Sequence, residues 1–506
     1  MRIYDDLYGL IEFSDDEKRI VDHPLFQRLR RIQQLALAHY VFPGATHTRF
    51  SHSLGVAHLM REVVGAIDRG KKTINPRERR HLRMAALLHD VGHLPLSHSL
   101  EGVYRDQIKK AAASRETEIE RDSKESPKGR KPGNAKSSTS LISPSLHPPL
   151  TDLVQTHTPH EALSAYLATS SELTDVLENR NNKYRYDPEE IATLILGSHT
   201  NTFFDQLMHS DMDVDTMDYL RRDARATGIN YGEFSLPYLL GNLETKKTSK
   251  GGKRLLCVNE KALHTVEHFI LAKYFYYLQI LYHKKRRIYD FLAHMCAKWL
   301  MKAARIPSLT ELESWIQTGQ WHTFDDYFFV EEVRRYSQRR DITDLKKGIC
   351  NILLRREKVE MKFNKSFRLE KKKDRDDNDD QRDINRIIAQ ALETVSRRKI
   401  PESNLLEEQS VLDAAPKEDG LEHFPLVIEE RSVYDTKERT QEKTKDEGIP
   451  SEEPVGERDA IKVLRRGSLV NVNSIDESII LPLSRFKTVL VRYYYFPKDK
   501  LKSLLS

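Results

Sequence analysis

The stretch LLHDVGH, Leu87 to His93, sets His89 and Asp90 side by side at the end of an apolar segment and adds a second imidazole, His93, four positions after the first. Imidazole nitrogens and carboxylate oxygens bind divalent metals and move protons, so the pattern points to a metal centre or to acid–base chemistry. Neighbouring residues on a helix diverge by roughly 100°, so His89 and Asp90 reach one ion from the same side and further ligands must come from elsewhere. Two stretches offer them. HTRFSHSLGVAHL carries His52 at the start of a helical pattern, with Gly55 leaving room for another backbone. HSDMDVDTMDYLRRD sets Asp211, Asp215, Asp218 and Arg222 on one helical face beside Tyr219 and Asp223. Such a run of acids repels itself, and a cation relieves the cost. Two imidazoles with two carboxylates suit Mn, Fe, Zn, Co, Ni or Mg; with open positions for water, such a site acidifies the water and polarises a phosphoryl oxygen. An HD dipeptide alone says little, because buried histidines are more often satisfied core residues and Asp-rich helices are mostly solvated faces. The ordered succession of His52, His89 with Asp90, and Asp215, each in an apolar setting, is what singles these residues out.

Helices must position them. NPRERRHLRMAALLHD begins with Asn75 as N-cap, Pro76 at the first helical position and Glu78 as the capping-box acid, and Pro95 cannot continue it, so His89 and Asp90 fall in its last turns. The run LAKYFYYLQILYHKKRRIYDFLAHMCAKWL reads as one long buried helix. SLVNVNSIDESIILPL and KTVLVRYYYF have the β-branched and aromatic content of strands. The expected fold class is mainly α, with a smaller mixed α/β C-terminal region. Residues 1–305 form the expected helical domain and 306–506 the C-terminal part. Residues 103–149 are expected to be a disordered insertion or lid, and 370–383 and 407–458 flexible segments rich in alternating charge.

Composition narrows the function classes. The 506 residues carry a formal net charge of +6 from 82 basic and 76 acidic side chains, a small imbalance that permits nucleic-acid binding without implying it. No apolar run approaches the length of a membrane span, so no membrane partner is expected. Cys257, Cys296 and Cys350 are far apart in sequence and form no CxxC pair, which fits a reducing cytoplasm and suggests neither a disulfide framework nor a thiolate zinc site.

The strings PLFQRLRRIQQLALAHYVFPGATHTRFSHSLGVAHL, LLHDVGHLPLSHSLE, HEALS and DVDTMDYLRRDARATGI, in that order, resemble the HD-domain metal phosphohydrolases, and within them the branch of deoxynucleoside triphosphate triphosphohydrolases. The resemblance runs from about Asp5 to Phe291, interrupted by the low-complexity insertion. It implies a helical core and a divalent metal held by residues matching His52, His89, Asp90 and Asp215. It further implies attack of water on the α-phosphorus of a deoxynucleoside triphosphate, releasing deoxynucleoside and tripolyphosphate. Arg49 matches an arginine on the triphosphate, and His93, His160, Glu161 and Asp218 match positions around the reaction centre, the Glu161 carboxylate orienting the His160 imidazole. His98 matches a further pocket position, Tyr219 and Asp223 match residues on the sugar, and Gln34 and Leu35 match base contacts. The basic cluster HKKRR, which begins at His283, lies near a place where relatives contact phosphate. Thr216 stands where relatives often have lysine, so one phosphate contact is missing or replaced. A nucleoside triphosphate substrate and a homo-oligomer, dimer or tetramer, are the implied partners. A nuclease or signalling-nucleotide hydrolase on the same scaffold, or a non-enzymatic nucleotide sensor, are the alternatives.

Overall fold

The computed structural model describes residues 1–69, 73–108, 149–248, 252–370, 421–423, 427–432, 460–484 and 486–497. Up to Arg355 these residues are overwhelmingly helical, with small sheets attached, so the protein is mainly α with a smaller mixed α/β part. The expected insertion lies almost wholly outside the described residues; its first residues, 103–108, continue a helix that starts at 98. The flexible segments at 370–383 and 407–458 also fall mostly outside, except for the short strands Leu421–His423 and Val427–Ser432. Among the described residues no helix is long and apolar enough to cross a membrane.

The helix Arg49–Asp68 runs through the core. Leu54, Val56, Ala57, Leu59, Met60, Val63, Val64 and Ile67 are all buried, and it packs against helices Pro76–Leu88 and Val214–Thr227. Pro76–Leu88 starts as its sequence requires: Asn75 Oδ1 accepts from the backbone N–H of Arg77 at 2.9 Å and of Glu78 at 3.0 Å, and Glu78 Oε2 accepts from Asn75 N–H at 2.7 Å. Such a reciprocal cap is worth about 1 kcal/mol. The helix ends with His89 as its C-cap, which delivers Asp90 into the turn beyond. Gly92 lies in that turn, where a Cβ would collide with the backbone of helix Pro159–Thr169; its N–H donates to Ser164 Oγ at 2.9 Å.

The aromatic run is two helices instead of one. Leu263–Tyr276 widens into a π-turn over Tyr277–Leu281, and a new helix, Lys284–Lys302, begins with His283 as N-cap. The wide turn shifts the helical phase, so that Phe269, Ile270 and Tyr276 before it and Ile288, Leu292 and Cys296 after it all face the interior. Cys296 and Cys350, distant in sequence, meet in the core as free thiols with their sulfurs 3.8 Å apart.

The C-terminal part is interwoven with the rest. Strands Leu243–Lys247 and Arg254–Asn259 pair antiparallel, Lys462–Arg465 joins the latter in parallel, and Ser468–Asn471 returns antiparallel. Of SLVNVNSIDESIILPL only the first part is a strand; Ile480–Ser484 is a helical turn whose first N–H donates to Ser478 Oγ at 3.2 Å. KTVLVRYYYF lies in strand Phe486–Pro497, which pairs with Glu360–Glu370 and with Val427–Ser432.

Two buried charges tie this region to the HD turn. Fully buried Arg28 donates to Phe324 O at 2.8 Å and to His93 O at 2.7 Å, and its guanidinium stacks 4.3 Å from the Trp321 ring centroid. Burial pulls its pKa down to about 9. Asp326, the first residue of helix Asp326–Ser337, accepts from Gln33 N–H at 2.9 Å and from Leu96 N–H at 2.7 Å. Leu96 and Ser97 have φ of +53° and +50°, a conformation that costs about 1 kcal/mol or more for residues with a Cβ, so this carboxylate holds a strained turn in place. Asp326→Ala leaves two buried N–H groups without acceptors; thermal or urea unfolding should show a loss of about 2–4 kcal/mol.

Candidate metal centre

Four side chains from three helices and one turn converge. His52 is fully buried; its Nε2 lies 3.0 Å from Asp215 Oδ1 and 3.6 Å from Asp90 Oδ2. His89 Nε2 lies 3.3 Å from Asp90 Oδ1 and 4.0 Å from Asp215 Oδ1. Ligand atoms of His52, His89 and Asp90 all lie within 4.8 Å of one another. Among the described residues neither Nε2 has a hydrogen-bond partner of good geometry, although both atoms are buried. The opposite ring nitrogens explain the orientation: His52 Nδ1 is bonded to Asp218 Oδ2 at 2.7 Å, and His89 Nδ1 is bonded to Ala86 O at 2.8 Å. Both Nε2 lone pairs are thereby aimed at a common point between two carboxylates, the arrangement that metal-binding imidazoles adopt. Two orphaned buried nitrogens flanked by carboxylate oxygens fit a divalent cation. The Asp215 side chain is 35% exposed, which leaves that side open to an incoming group.

The charges around the centre are graded. Burial alone raises the Asp90 pKa, but Arg49, His89 and His93 outweigh it and hold the carboxyl well below its ordinary value; Arg49 Nη1 donates to Asp90 Oδ2 at 2.7 Å and Arg49 Nε to Ser97 Oγ at 2.9 Å. Asp218 sits behind His52, fully buried, and accepts from Arg222 Nε at 2.8 Å and Nη2 at 3.0 Å. Arg222 in turn donates to Asp5 Oδ2 at 2.9 Å. Asp218 therefore faces away from the open side, and its contact is with a ligand ring; the expectation that it lies in the reaction space gives way to a positioning place. The room at Gly55 serves these two side chains, whose carboxylate and guanidinium a Cβ there would overlap. The acids predicted to share one helical face also part company. Asp211 precedes helix Val214–Thr227 and lies 3.5 Å from Lys273 Nζ, while Asp213 caps that helix by accepting from Thr216 N–H at 2.7 Å.

Beside the centre stands a second constellation. His93 Nε2 is 3.1 Å from Asp90 Oδ1, and its ring stacks on His160 with centroids 4.3 Å apart. His160 Nδ1 bonds to Glu101 Oε1 at 2.8 Å, and His98 Nδ1 to the same oxygen at 3.1 Å. The carboxylate that orients His160 is thus Glu101. Glu161 instead closes the capping box of Pro159–Thr169, accepting from Thr158 N–H at 3.1 Å, because as the third helical residue it points back to its own N-cap. Glu101 carries a local signal, lying three residues after His98 on one helical face. Burial and Arg49 drive the His93 pKa well below its ordinary value. Burial opposes protonation of His160 too, but Glu101 outweighs it and the pKa of His160 is raised.

The remaining predicted residues are Tyr219, Asp223, Gln34, Leu35 and His283. Asp223 is fully buried, with His47 Nε2 on Oδ1 at 2.6 Å and the Tyr276 hydroxyl donating to Oδ2; neither partner has a sequence signal. The partly buried Tyr219 ring is 5.3 Å from that of Tyr276. Gln34 and Leu35 are buried, and the Gln34 Oε1 has no hydrogen-bond partner among the described residues. His283 caps its helix by accepting from Lys285 N–H at 3.3 Å and packs on Phe42; among the described residues no hydrogen bond or ion pair joins it to the ligand cluster.

Residues 49–135 match the HD domain family, and the segment begins at Arg49 and includes His52, His89 and Asp90. This part of the chain is therefore similar to the HD domain. Over 263 residues it is 29% identical to the uncharacterized protein YwfO of Bacillus subtilis, covering 52% of this chain and 47% of that protein. The uncharacterized protein MG461 homolog of Mycoplasma pneumoniae is 26% identical over 54% of this chain and 55% of its own length. The chain thus spans about half the length of these curated relatives. Deoxynucleoside triphosphate triphosphohydrolase SAMHD1 of Bos taurus is 46% identical over 102 residues, 20% of this chain and 17% of that protein. Among solved structures, a hypothetical protein from Aquifex aeolicus superposes with a TM-score of 0.61 at 20% identity over all of both chains. A phosphohydrolase from Bacteroides thetaiotaomicron superposes with a TM-score of 0.59 at 20% identity, over 97% of this chain and 99% of that one. At this identity the likeness is one of fold.

Asp218→Asn removes the charge that pins His52 while keeping the side chain's shape. Titration against a competing chelator should show divalent-metal affinity reduced by about 10–100-fold, with unchanged circular dichroism.

Proposed function

We propose that this chain is a metal-dependent phosphohydrolase that cleaves deoxynucleoside triphosphates into deoxynucleoside and tripolyphosphate. The observation that carries the phosphohydrolase reading is the pair of stacked imidazoles, His93 and His160, with pKa values displaced in opposite directions directly beside the His52, His89, Asp90 and Asp215 donor set. Titratable neighbours whose environments separate their pKa values are how acid and base roles are divided. The triphosphate specificity is supported by the 46% identity to enzymes named for that activity.

A divalent cation held by His52, His89, Asp90 and Asp215 supplies Lewis-acid polarisation of the α-phosphoryl group and acidification of water. The chain's own residues do the rest. Arg49 offsets the Asp90 charge and, beyond its bonds to Asp90 and Ser97 among the described residues, has further N–H donors to offer a phosphate oxygen. Water adds to the α-phosphorus, the bond to the sugar 5′-oxygen breaks, and that oxygen takes a proton. His160, held protonated by Glu101, donates it, while neutral His93 relays the proton lost by water. Tyr219 walls the sugar, and Asp223, fixed at both oxygens by His47 and Tyr276, meets its 3′-hydroxyl. Gln34 and Leu35 stand on the base side.

Purified protein with Mn or Mg should release tripolyphosphate from at least one deoxynucleotide and more slowly from the matching ribonucleotide, as read by anion-exchange chromatography. His89→Ala should reduce release to background. Degradation of single-stranded nucleic acid with no tripolyphosphate would reassign the chain as a nuclease. Glu101→Gln removes the charge that raises the His160 pKa; since the protonated ring is the donor, the alkaline limb of the kcat profile should move to lower pH.

A further inference from the structure

The Glu101 carboxylate is the focus of three imidazoles. Its Oε1 lies 2.8 Å from His160 Nδ1, 3.1 Å from His98 Nδ1 and 3.8 Å from His93 Nδ1. Only the first two fit one hydrogen-bonded oxygen well. Nδ1 of His93, in a side chain with no exposed surface, has no hydrogen-bond partner among the described residues and faces the same oxygen. Around a tetrahedral zinc with bonds of about 2.0–2.2 Å, ligand atoms lie roughly 3.3–3.6 Å apart, so an ion here would spread the His160 and His98 nitrogens from the Glu101 oxygen by a few tenths of an ångström beyond their present 2.8 and 3.1 Å. Ligand atoms of His98, Glu101 and His160 all lie within 4.8 Å of one another. Glu101 is 1% exposed, and its other oxygen accepts from Arg105 Nη2 at 3.2 Å, so the carboxylate is already deprotonated and oriented. The His98 side chain is 59% exposed and gives an ion both an entrance and an open coordination position. None of these three residues belongs to the His52, His89, Asp90 and Asp215 set.

We propose that His98, Glu101 and His160 form a second, separate cation site, selective for zinc-like ions. Two imidazole nitrogens and one carboxylate oxygen favour Zn, Co, Ni or Cu over Mg, which prefers oxygen donors and keeps its waters. Binding displaces the proton that His160 carries into solution and ties up the Glu101 oxygen that orients it. On the reading given above, where His160 donates the proton to the leaving oxygen, an ion here inhibits hydrolysis while the neighbouring centre stays filled.

The full chain, stripped with chelator, is titrated with Co(II) as a spectroscopic stand-in for zinc, and bound metal is counted by elemental analysis. Uptake of a second equivalent with the intense visible bands of tetrahedral cobalt is expected. His98→Ala, at an exposed position that tolerates truncation, and Glu101→Gln should each lose that equivalent and keep the other. His52→Ala should show the reverse. In protein first loaded with one equivalent of Mn, zinc should lower kcat by about a hundredfold, and chelation of the excess should restore it. A single equivalent in the wild type, unchanged by Glu101→Gln, overturns the second site. A single equivalent lost in Glu101→Gln and kept in His52→Ala supports it and overturns the HD centre instead.

Discussion

His52 is held at both ring nitrogens' reach by carboxylates, and everything around it is arranged to make that tolerable. An imidazole with no solvent contact loses rotational freedom and hydration, and it is kept only where each face has a purpose. Asp218 bonds to its Nδ1, Arg222 balances Asp218, and Asp5, the last residue of strand Arg2–Asp5, balances Arg222, so a chain of alternating charges runs from that strand to the His52 ring. Such chains are stable only when complete, because an uncompensated buried charge costs several kcal/mol. The ring is therefore a fixed point against which His89 and the two aspartates are set.

The same logic divides the acids of the Val214–Thr227 segment. Three of the four early aspartates are compensated locally: Asp211 by Lys273, Asp213 by the helix N-terminus, Asp218 by Arg222. Asp215 is left beside two imidazoles whose Nε2 atoms have no hydrogen-bond partner among the described residues. Repulsion within the run is thus relieved mostly by protein groups, and a cation is called for at one position instead of along the whole face.

Local chemistry was readable from residue order. The Asn75 to Glu78 cap, the end of the helix at His89 and the helical setting of His52 follow from side chains that act on their own neighbours. What could not be read acts over distance. Nothing near Asp223 announces Tyr276 or His47, and nothing near Leu96 announces Asp326, because those hydrogen bonds close loops of 53, 176 and 230 residues. The aromatic run misleads for another reason: composition reveals that a helix is buried and is silent about a π-turn that resets its phase. Glu101 lies between these cases, since its spacing from His98 is local and its bond to His160 is not.

The carbonyl of His93 is grasped by Arg28, whose other anchors are the Trp321 ring and the Phe324 carbonyl. The segment that carries the family signature, 49–135, includes neither the guanidinium nor its anchors. Excised from its surroundings, that segment would keep the recognisable letters and lose the contacts from Arg28 and Asp326 that bend them into shape.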